Sequence, residues 1–117
     1  PERWPADLPR LDLVRQGALQ FEQADTDRFP CLGHAYAALR SGGGFPIVLN
    51  AANEVAVAAF LDAGLPFLSI PATIEEALEQ YSGLVQTTPQ SVEEIRALDA
   101  WARRSAHEII RGLESKV

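Results

Sequence analysis

Methionine is absent from this sequence, cysteine occurs once, and neither Lys nor Arg is found between Ser41 and Ile95. With no Met and a first residue of Pro1, we expect a processed or truncated piece of something longer. The single Cys31 excludes an internal disulfide and denies a Cys-based zinc site three of its usual ligands. Such usage fits a reducing compartment and a cytoplasmic location. The thiol itself reads as a small buried hydrophobe, because no base accompanies it in a nucleophile motif. No charged-then-apolar leader opens the chain. The longest apolar stretch, around Ala51 to Leu61, is interrupted by Asn53 and Glu54 and is too short to span a bilayer, so no membrane partner is expected.

The shortage of basic residues is uneven. Ten Lys and Arg stand against sixteen Asp and Glu, a net charge of −6. The base-free stretch from Ser41 to Ile95 carries seven acids, whereas Arg96 to Val117 carries five bases against three acids. A basic last segment after an acidic middle can be complementary within one fold. Nucleic acid is not an expected partner, since backbone binding needs clustered Lys and Arg to displace counterions. With apolar residues at 47% and charged residues at 22%, the chain can bury a core and is far from the disordered class.

Residues 1–28 differ from the rest. They hold Pro1, Pro5 and Pro9 and two short period-two patterns, Leu11-Asp12-Leu13 and Leu19-Gln20-Phe21-Glu22. Alternation places successive side chains on opposite faces, which predicts one or two short strands. Two strands alone are marginal, so they are expected to complete a sheet of a neighbouring α/β domain. From Pro30 the punctuation predicts a bundle of about four helices, a mainly α fold. The first starts near Pro30, capped by Thr26 or Asp27, and ends at Gly42 to Gly44. The second runs from about Pro46 to Ala63 and stops at Gly64. Pro66 and Pro71 leave a short turn around Phe67 to Ile70, then a third helix from about Ala72 to Tyr81. Ser82, Gly83 and Thr87 to Pro89 form a connection, and the capping box Ser91-x-x-Glu94 opens a last helix to about Leu113.

The second helix is apolar nearly all round and must be central. Asn50, Asn53 and Glu54, spaced i, i+3 and i+4, share one of its faces, and we expect a buried polar cluster that pins the helix to a neighbouring loop. On the last helix, Val92, Ile95, Leu98, Ala102, Ala106, Ile109, Ile110 and Leu113 form a core-facing arc. Asp99 and Arg103 read as an i, i+4 ion pair, and Trp101 projects outward.

Candidate chemistry is thin. Asp25-Thr26-Asp27 has the spacing of a cation pair but is equally a helix-capping turn, and hard cations want six or more oxygens. Gly42-Gly43-Gly44 lacks the P-loop Lys and the dinucleotide-fold glycine spacing, and reads as a flexible connector. His34 and His107 belong to no nucleophile motif. Glu75, Glu76 and Glu79 suit the first turns of the third helix, where the macrodipole favours acids. No catalytic, cofactor-binding or metal-ligating residue is assigned.

Two stretches say more. Asp27-Arg28-Phe29-Pro30-Cys31-Leu32 and, after the glycines, LNAANEVAVAAFL at residues 49–61 resemble the C-terminal region of the 1-deoxy-D-xylulose 5-phosphate reductoisomerase family. Trp4-Pro5, Leu11-Asp12-Leu13, Ala18-Leu19-Gln20-Phe21, Phe67 and Ile70 add to the likeness. Gly33, His34, Gly44 and Ser69 depart from the usual pattern, where 33 is commonly basic and 34 apolar. The resemblance implies an enzyme using NADPH and Mg²⁺ or Mn²⁺ to convert 1-deoxy-D-xylulose 5-phosphate to 2-C-methyl-D-erythritol 4-phosphate in isoprenoid synthesis. It further implies a homodimer formed through a middle domain, with the sugar phosphate bound outside this segment. Residues 1–28 then correspond to the tail of the middle domain and 29–117 to a C-terminal helical bundle that supports it. The alternative is a free-standing helical interaction module without catalytic activity.

Overall fold

The computed structural model describes every residue except 1, 3, 6, 85–87 and 115–117, so Pro1 and the Thr87 of the expected connection lie outside the described residues. Among the described residues there are five helices: α1 (Leu13–Gln16), α2 (Pro30–Ser41), α3 (Phe45–Ala63), α4 (Ser69–Ser82) and α5 (Val92–Glu114). The mainly helical bundle read from the sequence is the observed architecture.

The strands are a correction: no strand occurs among the described residues. Within the first period-two pattern the Asp12 carboxylate accepts hydrogen bonds from the N–H groups of Val14 and Arg15, at 3.0 and 3.3 Å, and so nucleates the single turn of α1. Leu19 to Glu22 stays outside regular structure, since a strand needs a ladder partner for its backbone groups. Every described residue before Pro30 is exposed, and α1 touches no other helix.

The start of α2 also differs from expectation. Neither Thr26 nor Asp27 caps it. Asp25 organises the preceding turn, its carboxylate accepting from the Arg28 N–H at 2.8 Å and its carbonyl from the Phe29 N–H at 2.9 Å. Pro30 then takes the first helical position, where a missing N–H costs nothing. At the other end, the Gly42 N–H closes on the Ala38 carbonyl at 3.0 Å with φ +67°, a conformation that favours glycine.

Central position and apolar composition go together in α3. It packs against α2, α4 and α5, and buries Val48, Ala51, Ala52, Val55 and Ala56. Length and composition alone would let Phe45–Asp62 cross a membrane, but a helix covered by three others is apolar for the sake of the core. It ends in left-handed Gly64, whose N–H reaches the Ala59 carbonyl.

α4 begins at Ser69 rather than Ala72, because Pro71 lies in the first turn, where its N–H would have no partner in any case. Ile70, Thr73, Ile74, Ala77 and Tyr81 form its buried stripe. The earlier start moves Glu75, Glu76 and Glu79 out of the first turn; they occupy the exposed middle of the helix, a solvated face without a dipole role.

The capping box at Ser91 is present with one shift. Ser91 Oγ accepts from the Glu94 N–H at 3.1 Å, while the Glu94 carboxylate reaches back to the Gln90 N–H at 2.7 Å. Of the expected arc on α5, Ala102, Ala106, Ile109 and Ile110 are buried and Leu98 and Leu113 pack beside them, but Val92 and Ile95 are exposed. The core contact of α5 is therefore rotated, and Trp101 comes with it. Trp101 does not project outward: it is half-buried against the core, its ring 5.9 Å from that of Tyr81. Tyr81 in turn meets Phe45 edge to face at 5.0 Å, so one aromatic column joins α3, α4 and α5.

Candidate functional site

The polar residues singled out on α3 reach across to α5. Asn50 Nδ2 donates to Glu54 Oε1 at 3.0 Å, one helical turn away. The other oxygen of Glu54 accepts from Arg103 Nη2, and Arg103 Nε donates to Asp99 Oδ2 at 2.8 Å. One guanidinium thus bridges two carboxylates on two helices, its fork geometry matched to both. Asp99–Arg103 is the i, i+4 pair expected. The Glu54 partner, forty-nine residues away in sequence, was not expected.

This cluster is not buried, which corrects the expected buried pin. Asn50 and Glu54 are exposed and Asn53 is half-buried; the partner is a side chain of α5, not a loop backbone. Among the described residues the Asn53 side chain makes no hydrogen bond. The hydrogen bond from Arg103, then that from Asn50, then the nearby positive charge hold the Glu54 carboxyl below the usual carboxylate range. Both carboxylates of the cluster are committed to Arg103. They offer no free base.

The glycine run is not a flexible connector. Gly44 is buried at the start of α3, and a Cβ there would fall on the Tyr81 hydroxyl and within 2.5 Å of Leu98 Cδ2. The absent side chain lets Tyr81 lie against the turn. A cavity of about 150 Å³ remains beside it, lined by Ser41 to Phe45, Tyr81 and Thr88.

Other candidates stay apart. Cys31 is exposed, correcting the expected burial, and partial desolvation pushes its thiol up, so it is a poorer thiolate than a free cysteine. His34 on α2 has a buried Nε2 with no hydrogen-bond partner. His107 is exposed on α5. Asp25 organises the turn before α2 rather than capping the helix, whose N-cap Phe29 makes no side-chain cap bond. No three His, Cys, Asp or Glu side chains among the described residues converge to hold a metal ion, so these residues do not fit the divalent cation that the resemblance implies. Besides the Glu54–Arg103 pair, sequence reasoning missed two further ties: the Tyr81 column and the bond from buried Ser105 Oγ to Gln80 Oε1, which joins α5 to α4. An apolar period reveals which face is buried, but not which aromatic or hydroxyl it meets. What the arrangement provides is side-chain ties between α3, α4 and α5.

Comparison with known proteins gives a consistent result. Residues 1–105 match the family model described as DXP reductoisomerase C-terminal domain. The 1-deoxy-D-xylulose 5-phosphate reductoisomerase of Laribacter hongkongensis (strain HLHK9) is 52% identical over 104 residues, covering 89% of this chain and 26% of that protein. The enzyme of the same name from Thermosynechococcus vestitus (strain NIES-2133 / IAM M-273 / BP-1) is 46% identical over 118 residues, covering 100% of this chain and 28% of its own length. Among solved structures, 1-deoxy-D-xylulose 5-phosphate reductoisomerase from Zymomonas mobilis in complex with NADPH matches with a TM-score of 0.80 and 39% identity, over 92% of this chain and 28% of that one. The chain spans about a quarter of the length of these relatives.

Proposed function

This chain belongs to the DXP reductoisomerase C-terminal domain family, and on that premise we propose that it is the supporting helical domain of a longer enzyme. That enzyme rearranges 1-deoxy-D-xylulose 5-phosphate and reduces it with NADPH to 2-C-methyl-D-erythritol 4-phosphate, in the cytoplasm, as a homodimer that requires Mg²⁺ or Mn²⁺. The domain match over residues 1–105, in relatives about four times as long, carries the reading. NADPH, metal and sugar phosphate are assigned to the remainder of the longer protein, since the chain spans about a quarter of the relatives' length. Within the chain, residues 1–28 are read as the tail of the preceding domain and 29–117 as the bundle. The all-exposed arm before Pro30 supports that division.

The test is an absorbance assay of NADPH oxidation. The full-length protein with 1-deoxy-D-xylulose 5-phosphate and Mg²⁺ should oxidise NADPH, chelation of the metal should stop it, and the 117-residue chain alone should be inactive. A pure, folded full-length protein without substrate-dependent turnover would sink the reading.

A further inference from the structure

The Tyr81 ring is fixed on three sides. Phe45 meets it edge to face, Trp101 lies 5.9 Å away, and Gly44 leaves room for it against the turn before α3. The residue is only 5% exposed. Its hydroxyl and Cζ are the atoms nearest Gly44, so the hydroxyl end of the ring is the end that borders the cavity of about 150 Å³. A buried phenol ordinarily has a hydrogen-bond partner. Among the described residues this one has none, and it borders a space many times the roughly 10–15 Å³ that one water needs.

Other groups around that space can also donate. Gly42 and Gly43 both have positive φ, +67° and +54°. The N–H groups of Gly42, Phe45, Ile47 and Val48 are bonded to nearby carbonyls, whereas those of Gly43 and Gly44 have no acceptor among the described residues. Ser41 and Thr88 put hydroxyls on the exposed rim. α3, nineteen residues long, begins here with no acid in its first turn and no side-chain cap, so nothing neutralises its positive end. No lining residue is charged. The cavity therefore offers a metal ion no carboxylate, and it offers a dianion no cation to offset lost hydration. One negative charge shared by two oxygens suits two N–H groups and a phenol.

We propose that this cavity binds the carboxylate of a small molecule taken from solution. The Tyr81 hydroxyl and the N–H groups of Gly43 and Gly44 donate to its oxygens, and the Thr88 hydroxyl donates from the rim.

The experiment uses the full-length protein with 3-fluorotyrosine in place of Tyr81 and, separately, in place of exposed Tyr36. Fluorine NMR follows each label while sodium formate replaces sodium chloride at constant ionic strength. The resonance from position 81 should move along a saturating curve, and that from position 36 should not. Thr88→Val, a change of nearly equal shape at an exposed residue, should raise the half-saturation concentration roughly tenfold, the effect of losing one hydrogen bond to a charged group. A resonance at 81 that formate leaves unmoved would overturn the proposal, as would an equal saturating shift at 36. So would an unchanged half-saturation point in Thr88→Val, or inorganic phosphate saturating the site at a lower concentration than formate.

Discussion

Gly44 has φ −84° and ψ −9°, a conformation any residue adopts, so only space demands glycine there. The Tyr81 ring it faces is held between Phe45 and Trp101 and cannot easily yield. We therefore predict that Gly44→Ala costs about 1–3 kcal/mol of stability, as overpacking does, although it shortens no loop and removes no contact. A melting temperature equal to that of the unsubstituted chain would show that Tyr81 moves freely. His34 predicts the opposite sign. Its buried Nε2 lacks a partner, and an orphaned polar group costs about 1–3 kcal/mol, so His34→Leu should raise the melting temperature by a few degrees. If the variant melts lower, the nitrogen has a partner. Residues whose role is local were readable beforehand: Gly64 ends α3 by its own backbone conformation, and Ser91 caps α5 within one turn. Gly44 was misread because its reason lies in Tyr81, thirty-seven positions away.

Helices carry their own discrepancies. α4 was expected to start three residues late because Pro71 was read as a breaker, when the first turn has no use for its N–H. An arc on α5 through Val92 and Ile95 predicts an outward Trp101, but the fold leaves both exposed and turns Trp101 toward the core. Between α3 and α5, the Glu54–Arg103 pair is one meeting of the acidic middle with the basic end. Since the folded carboxyl is held below its ordinary range, it stabilises the fold above that range, and the contribution is lost as pH falls through the folded pKa. Glu54→Gln should therefore melt slightly lower than the parent at neutral pH, with the difference shrinking toward zero in acid and in high salt. A difference independent of pH would mean that Gln fails for packing reasons. Asn53, with no hydrogen bond among the described residues, belongs to the same helix face but not to the bridge. Asn53→Ala should leave the melting temperature of this chain nearly unchanged.

At the scale of the whole molecule, burial among the described residues falls entirely after Phe29. Val48 and Ile74 lie fully buried where α3 meets α4 and α5, whereas no described residue of the arm is even partly buried. Cooperative stability scales with the apolar surface removed from water, so the arm contributes almost nothing to it. Its exposed Leu19 and Phe21, together with the α2 stripe of exposed Leu32, Tyr36 and Leu39, are what another chain can stick to. Deleting residues 1–28 should thus leave the thermal transition in place and raise the helical signal per residue, because among its described residues the removed segment holds only the four helical residues of α1. Sedimentation velocity should show less self-association after the deletion, with some remaining until the α2 stripe is also made polar, for example by Leu39→Glu. Circular dichroism and sedimentation on both chains check the two halves separately. Loss of the cooperative transition on deletion would mean that the arm packs on the bundle in solution. A strictly monomeric 117-residue chain that binds no hydrophobic dye would mean that neither arm nor stripe is half of an interface, and the free-standing module would then be the better account.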